Sequence, residues 1–229
     1  MPRVTPSAEV EAAEAVRSWV YGTLGVLFDS IPETLDWQEP PGGGYAGTRR
    51  AIQVLCRAFL AQPRAVMESE QVRLFVNAPG GVPAPPYAAY YLDGELLGPS
   101  CNWVSAQYRA QGLELDAGAG QPPDFLSTEF EFLYFLCRHQ RAARLTSDAL
   151  AFSAAAQAEA DFFRDHLVRW LPRFAGDVAR ASVSGCFFGQ VAELLTVFCA
   201  EEQGRLLTLA KPLVAPREKL AHGSNLPTR

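Results

Sequence analysis

Apolar residues return at three- and four-residue steps along almost the whole of this 229-residue chain, and that spacing belongs to one face of an α-helix, not to the alternation of a strand. In "SAEVEAAEAVRSWVYGTLGVLFDSI", Val16, Val20, Leu24, Leu27 and Phe28 share one helical face. Ser7 is placed to cap its start, Glu9 and Glu11 fall near the first turn, and Pro32 closes the segment or begins a new turn. "TRRAIQVLCRAFLAQPRAVMESEQVRLFVN" reads as two helices parted near Pro63, with Ile52, Leu55 and Phe59 facing inward. "SCNWVSAQYRAQGLEL" reads as a short helix stopped by Gly112. Two later segments, "SDALAFSAAAQAEADFFRDHLVRWLPRFAGDVAR" and "GCFFGQVAELLTVFCAEEQGRLLTLA", are strongly helical. Only "AAYYLDGELLG" alternates in the strand manner, and weakly. The expectation is an all-α fold, a single globular domain of about eight to ten helices.

One region breaks the pattern. Ala78 to Pro99, "APGGVPAPPYAAYYLDGELLGP", is too rich in proline and glycine for a long helix. Its three tyrosines, Tyr87, Tyr90 and Tyr91, are too apolar for a solvated linker. It is expected to be a long ordered loop laid across the helical body. The domain is drawn as residues 1–210, and residues 211–229 read as a polar, proline-broken, flexible tail.

The chain is long enough to bury a sizeable core. Its formal charge of −5, with lysine only at Lys211 and Lys219, leaves no basic stripe for nucleic acid. A mild acidic excess suits a cationic partner instead. The five cysteines are scattered and no C-x-x-C occurs, which fits reduced core thiols better than disulfides or a metal site. Neither a secretory signal nor an uncharged apolar stretch of about 18 residues is present. The expected location is the cytoplasm, without stable membrane insertion; a homodimer is left open.

Three places in the sequence could carry catalysis. In "GGGYAGTRR", Gly42 and Gly47 have phosphate-loop spacing, but Thr48 and Arg49 stand where a lysine and a magnesium-binding hydroxyl are needed. His166, in "DFFRDHLVRWLP", has acidic neighbours but no nucleophile elbow accompanies it, so it reads as a structural histidine. Glu129 and Glu131 cannot act as an acid–base pair, because residues two apart on a helix point about 200° apart. The expectation is no catalysis, no metal and no cofactor; a small helical hydrolase or nucleotide-dependent enzyme using the Gly42–Gly47 loop or His166 is the alternative.

The stretch "QPPDFLSTEFEFLYFLC" poses a sharper question. Phe125, Glu129, Phe132 and Leu136 share one helical stripe, whereas Glu131 has polar neighbours. A carboxylate on an apolar stripe is costly unless paired. Two accounts are open for Glu129. One is an internal salt bridge to an arginine of a neighbouring helix, such as Arg17 or Arg73; the other is a site that receives a cation from outside. Asp124, at the start of this helix, is equally open as its N-cap or as a peptide contact.

In order and spacing, "LFVNAPGGVPAPPYAAYYLDGELLGP", "VSAQYRAQGLEL" and "PPDFLSTEFEFLYFL" resemble the TorD/DmsD-type redox-enzyme maturation chaperones. The landmarks are Leu74 and Phe75, Pro85–Pro86–Tyr87, Tyr108 with Gly112–Leu113, and Pro122–Pro123–Asp124 with Leu126, Glu129 and Phe132. The N-terminal "VYGTLGVLFDSIP" and the later "HLVRWLPRFA" also fit, so the likeness spans about residues 10 to 205. The resemblance implies an all-α chaperone that binds the twin-arginine signal peptide and the apo catalytic subunit of a molybdopterin oxidoreductase before export.

Two guanidiniums followed by an apolar stretch call for carboxylates and an aromatic groove. Asp124 and Glu129 are the candidates for the first. Phe75, Pro86, Tyr87, Tyr90 and Tyr91, with Phe125, are candidates for the second, although Phe75 suits the core better than a groove. Phe125 departs from the family, which usually has histidine there, so any proton or hydrogen-bond role of that histidine is missing. A helical adaptor without peptide selectivity is a further possibility.

Overall fold

The face carrying Val16, Val20, Leu24 and Leu27 is buried along α1 (Ala8–Leu27), as its spacing requires. In the computed structural model the described residues are 8–209, apart from 117, 119 and 184. Ser7, expected to cap α1, lies outside them, as does the 211–229 tail. They form nine α-helices. After α1 come α2 (Ala46–Ala61), α3 (Arg64–Phe75), α4 (Ala88–Leu92), α5 (Pro99–Ala110), α6 (Leu126–Leu145), α7 (Ala149–Phe162), α8 (Val168–Ala181) and α9 (Phe187–Leu209). The all-α expectation and the helix count hold.

Helix α6 packs between α1 and α7, and α9 packs between α2 and α8. On the α1 side the approach is close because Gly22 and Gly25 carry no side chain. A Cβ at Gly22 would lie 3.2 Å from the Tyr134 ring, and one at Gly25 would lie 3.3 Å from Cγ of Glu131. The α2–α9 seam depends on Gly47 in the same way, since a Cβ there would sit 2.7 Å from Val197. Helix α1 ends before Pro32 is reached, in a turn at Phe28–Ser30 closed by bonds to the Val26 carbonyl.

Helices α7 and α8 are one continuous rod interrupted by a π-helical turn, Phe163–Leu167. Pro172 sits inside α8 and has no N–H to offer the carbonyl four residues back. The rod still buries Phe163, Leu167, Trp170, Leu171 and Phe174.

"AAYYLDGELLG" is not a strand: Tyr87 and Phe125 form an isolated antiparallel bridge, and the chain then enters the short helix α4. The proline-rich loop before it is ordered. Ala84 N–H donates to the Leu74 carbonyl at 3.1 Å, and Leu126 N–H donates to the Pro86 carbonyl at 2.9 Å. These bonds tie the loop to the end of α3 and to the start of α6.

Candidate functional site

The start of α6 is where the loop, α4 and α5 converge, and Asp124 is the knot. Its Oδ2 accepts the Ala89 N–H at 2.7 Å and its Oδ1 accepts the Cys101 thiol at 2.9 Å. Its backbone carbonyl accepts the Ala88 N–H at 3.1 Å. Asp124 therefore caps α4, not the helix that follows it in sequence, and leaves only 1% of its surface exposed. The residue flanking α6 is Phe125, in extended conformation, with its ring 5.5 Å from that of Tyr87. Phe125 thus stands off the helical stripe on which spacing put it. Burial, with the acceptor at Asp124, pushes the Cys101 thiol up to about 12, so it stays protonated and inert.

One turn further along, Glu129 is fully buried, and its Oε1 lies 2.6 Å from His166 Nε2. The partner is neither Arg17 nor Arg73. Arg17 is committed to Glu159 at 2.6 Å, and Arg73 to Glu70 and the Ala181 carbonyl. His166 is 2% exposed and its ring stacks on Trp103 at 5.1 Å. Burial raises the Glu129 carboxyl above its ordinary range, and His166 opposes that rise. The other oxygen, Oε2, has no partner in hydrogen-bonding geometry.

A second polar cluster joins α1, α6, α7 and α9. Glu159 accepts from Arg17, from the Tyr21 hydroxyl at 3.0 Å and from Gln140 at 2.7 Å, with Arg205 at 3.7 Å. Burial alone would raise Glu159; Arg17 and Arg205 outweigh it and hold the carboxyl low. Beside it, Glu202 accepts from Tyr45 and Arg205.

The glycine loop is not an open phosphate cradle. At the start of α2 the Gly47 and Thr48 N–H groups donate to the Glu201 carboxylate at 2.9 and 3.0 Å, and the Thr48 hydroxyl adds a third bond at 2.6 Å. A helix N-terminus attracts an anion, and here α9 already supplies one. The other catalytic alternative, His166, is sealed beneath Trp103 and Phe162 and bonded to Glu129.

Comparison with known proteins addresses the family directly. The sequence model for the nitrate reductase delta subunit matches residues 43–176, more than half of the chain. The chain belongs to the nitrate reductase delta subunit family. Chaperone protein TorD of Vibrio cholerae serotype O1 is 29% identical over 119 residues, covering 52% of each protein. The perchlorate reductase assembly chaperone protein of Dechloromonas aromatica is 37% identical over 91 residues, covering 40% of this chain and 39% of that one. The chain thus spans about half the length, or less, of these curated relatives. A solved structure from Archaeoglobus fulgidus, of a protein assigned to redox enzyme maturation, superposes with a TM-score of 0.49 at 18% identity, over 87% of this chain and 99% of that one. The resemblance to TorD-type chaperones is borne out, and the relatives that match are named as chaperones and not as enzymes.

Within this family member the residues singled out from sequence fall into three groups. Phe75 is core, its ring within 5.4 Å of Phe28 and 5.2 Å of Phe188. Tyr91 is core as well, stacked on Trp170 at 5.6 Å. Asp124, Phe125, Glu129 and Pro86 are buried around the loop junction. Tyr87 is half-buried, and Tyr90 is 44% exposed. Sequence reasoning named Asp124 and Glu129 as candidate guanidinium acceptors, and the structure turns both carboxylates inward, onto Ala89, Cys101 and His166. Sequence reasoning also missed His166 as the partner of Glu129. The available signal was that His166 stands in a run with Phe162, Phe163, Leu167 and Trp170, where an unpaired polar ring would be costly. Among the described residues no helix is long and apolar enough to cross a membrane.

Proposed function

We propose that this protein is a cytoplasmic, system-specific chaperone. It binds the twin-arginine signal peptide of the apo catalytic subunit of a molybdopterin oxidoreductase and assists its maturation before export. The observation that carries this reading is membership of the nitrate reductase delta subunit family, together with similarity to the chaperone protein TorD and to a perchlorate reductase assembly chaperone protein. The chain itself does not catalyse a reaction. The packed loop junction supports the reading: it presents Tyr87 and Tyr90 on an ordered backbone, and a preorganised aromatic surface lowers the entropic cost of holding an apolar peptide.

Isothermal titration calorimetry with a synthetic twin-arginine leader tests the proposal. Saturable binding that weakens when both arginines are replaced is the expected result. A folded protein that gives no heat with leaders of molybdopterin enzymes overturns it. Binding indifferent to the arginines would mark a helical adaptor without peptide selectivity.

A further inference from the structure

With Asp124 and Glu129 turned inward, the proposed binding of a twin-arginine leader lacks a surface that meets the guanidiniums. A groove of about 330 Å³ runs between the segment that follows α5 and the outer face of α6. Its floor is aromatic and aliphatic: Tyr108, Phe132 and Phe135, with Leu113 and the exposed Leu115. Its rim carries three exposed carboxylates, Glu114, Asp116 and Glu131.

None of the three has an ion-pair partner among the described residues. Asp116 accepts the Gly118 N–H, at 3.0 Å. Arg109 lines the adjoining hollow beside Glu114 without an ion pair within 4.0 Å. Asp29 adds a further negative charge near Glu131, and burial together with Asp29 raises the Glu131 carboxyl. An apolar trough with an uncompensated acidic rim is complementary to a segment that is both cationic and apolar.

The groove is built, not left over from loose packing. Gly25 of α1 makes room for the stem of Glu131, a residue of the groove lining. The Tyr108 hydroxyl donates to the Pro123 carbonyl at 2.9 Å, joining the groove floor to the junction that holds Tyr87 and Phe125.

We infer that this groove is the docking surface for the arginine-bearing end of the leader, with Glu114, Asp116 and Glu131 as the guanidinium acceptors and the Tyr108–Phe132–Phe135 floor receiving the adjoining apolar residues. Carboxylates take arginine in paired hydrogen bonds, a geometry lysine cannot reproduce. The inference rests on the chaperone reading above and places its charge recognition on side chains that reach solvent.

The test uses the full chain and a fluorescein-labelled synthetic peptide with two adjacent arginines followed by an apolar, helix-prone stretch. Lys-Lys and Gln-Gln versions serve as controls, and binding is followed by fluorescence anisotropy at several salt concentrations. Glu131→Gln is expected to weaken the Arg-Arg peptide about threefold to fivefold, and Glu114→Gln/Asp116→Asn/Glu131→Gln by more than about thirtyfold. The triple variant should lose most of the salt dependence, bind the Gln-Gln peptide as the wild type does, and melt at an unchanged temperature. If the wild type binds the Arg-Arg peptide and the triple variant binds it equally well, the groove assignment fails and the chaperone reading stands. If the wild type binds no leader peptide, both fall. A change in oligomeric state on neutralising the rim, read by light scattering, would make the groove a contact between copies of this chain and overturn the assignment.

Discussion

His166 Nε2 meets Glu129 Oε1 at 2.6 Å inside the protein, joining α6 to the π-helical turn between α7 and α8. The Glu129 carboxyl titrates above its ordinary range in the folded state because burial disfavours its charge. Its stabilising contribution is therefore complete below the unfolded value, about 4.3, and is lost as pH rises through the higher folded value. Glu129→Gln, which cannot ionise, should gain stability relative to the wild type across that rise. His166→Ala should cost about 2–3 kcal/mol at neutral pH, because it strands a buried carboxylate. Urea unfolding of the three proteins over a pH series measures both effects. A wild-type-to-Gln difference that does not change with pH would contradict the assignment.

Glu159 behaves with the opposite sign. Its folded value is held low by Arg17 and Arg205 against burial, so its contribution is present above the unfolded value and lost as pH falls through the folded one. Arg17→Met, which removes the principal cation while keeping much of the volume, should cost about 3–5 kcal/mol at neutral pH. The variant should also show a shallower loss of stability in acid than the wild type. Chemical denaturation at neutral and acidic pH reads both.

Asp124 serves α4 and α5 from the start of α6. Asp124→Ala should lower stability by about 1–2 kcal/mol through the lost cap and the unsatisfied Ala89 N–H. Asp124→Asn, which keeps an acceptor for that N–H, should cost less. Thermal and urea melts rank the two. If Asp124→Ala melts like the wild type yet no longer binds a leader peptide, the carboxylate has a recognition role and not this internal one.

At α2, Glu201→Ala should cost about 1–2 kcal/mol, since it exposes two helix-terminal N–H groups and the Thr48 hydroxyl that the carboxylate now satisfies. Nucleotides with magnesium should leave the melting temperature of the wild type unmoved, because a ligand stabilises only where it binds the folded state. A concentration-dependent rise with nucleotide would contradict a filled helix terminus.

The helices were legible because their information is local. Ile52, Leu55 and Phe59 announce the inner face of α2 by spacing alone, and all three are buried. Gly112, at φ 73°, stops the chain beyond α5 in a conformation that favours glycine. The loop's order was legible too, since its tyrosines had to be covered somewhere.

Partner choice was not legible. Glu129 finds a histidine 37 positions away, and Arg17 a glutamate 142 positions away; several arginines and one histidine fit either role equally on a helical wheel. Asp124 misled for a related reason. A residue before a helix is expected to cap that helix, but the loop folds back and presents the N–H of α4 to it instead. The groove rim escaped notice because Glu131 reads as an ordinary solvated side chain until Glu114 and Asp116 are brought beside it by the fold.

The π-helical turn at Phe163–Leu167 sets a constraint of phase. A wider turn holds an additional residue compared with a regular helix, and each residue carries about 100° of rotation. Removing one residue there would leave every side chain in place by composition yet swing Trp170, Leu171 and Phe174 away from the core relative to Phe162. The two halves of this rod behave like gears cut to mesh at a single tooth, so the packing tolerates no change in the number of residues across 163–167.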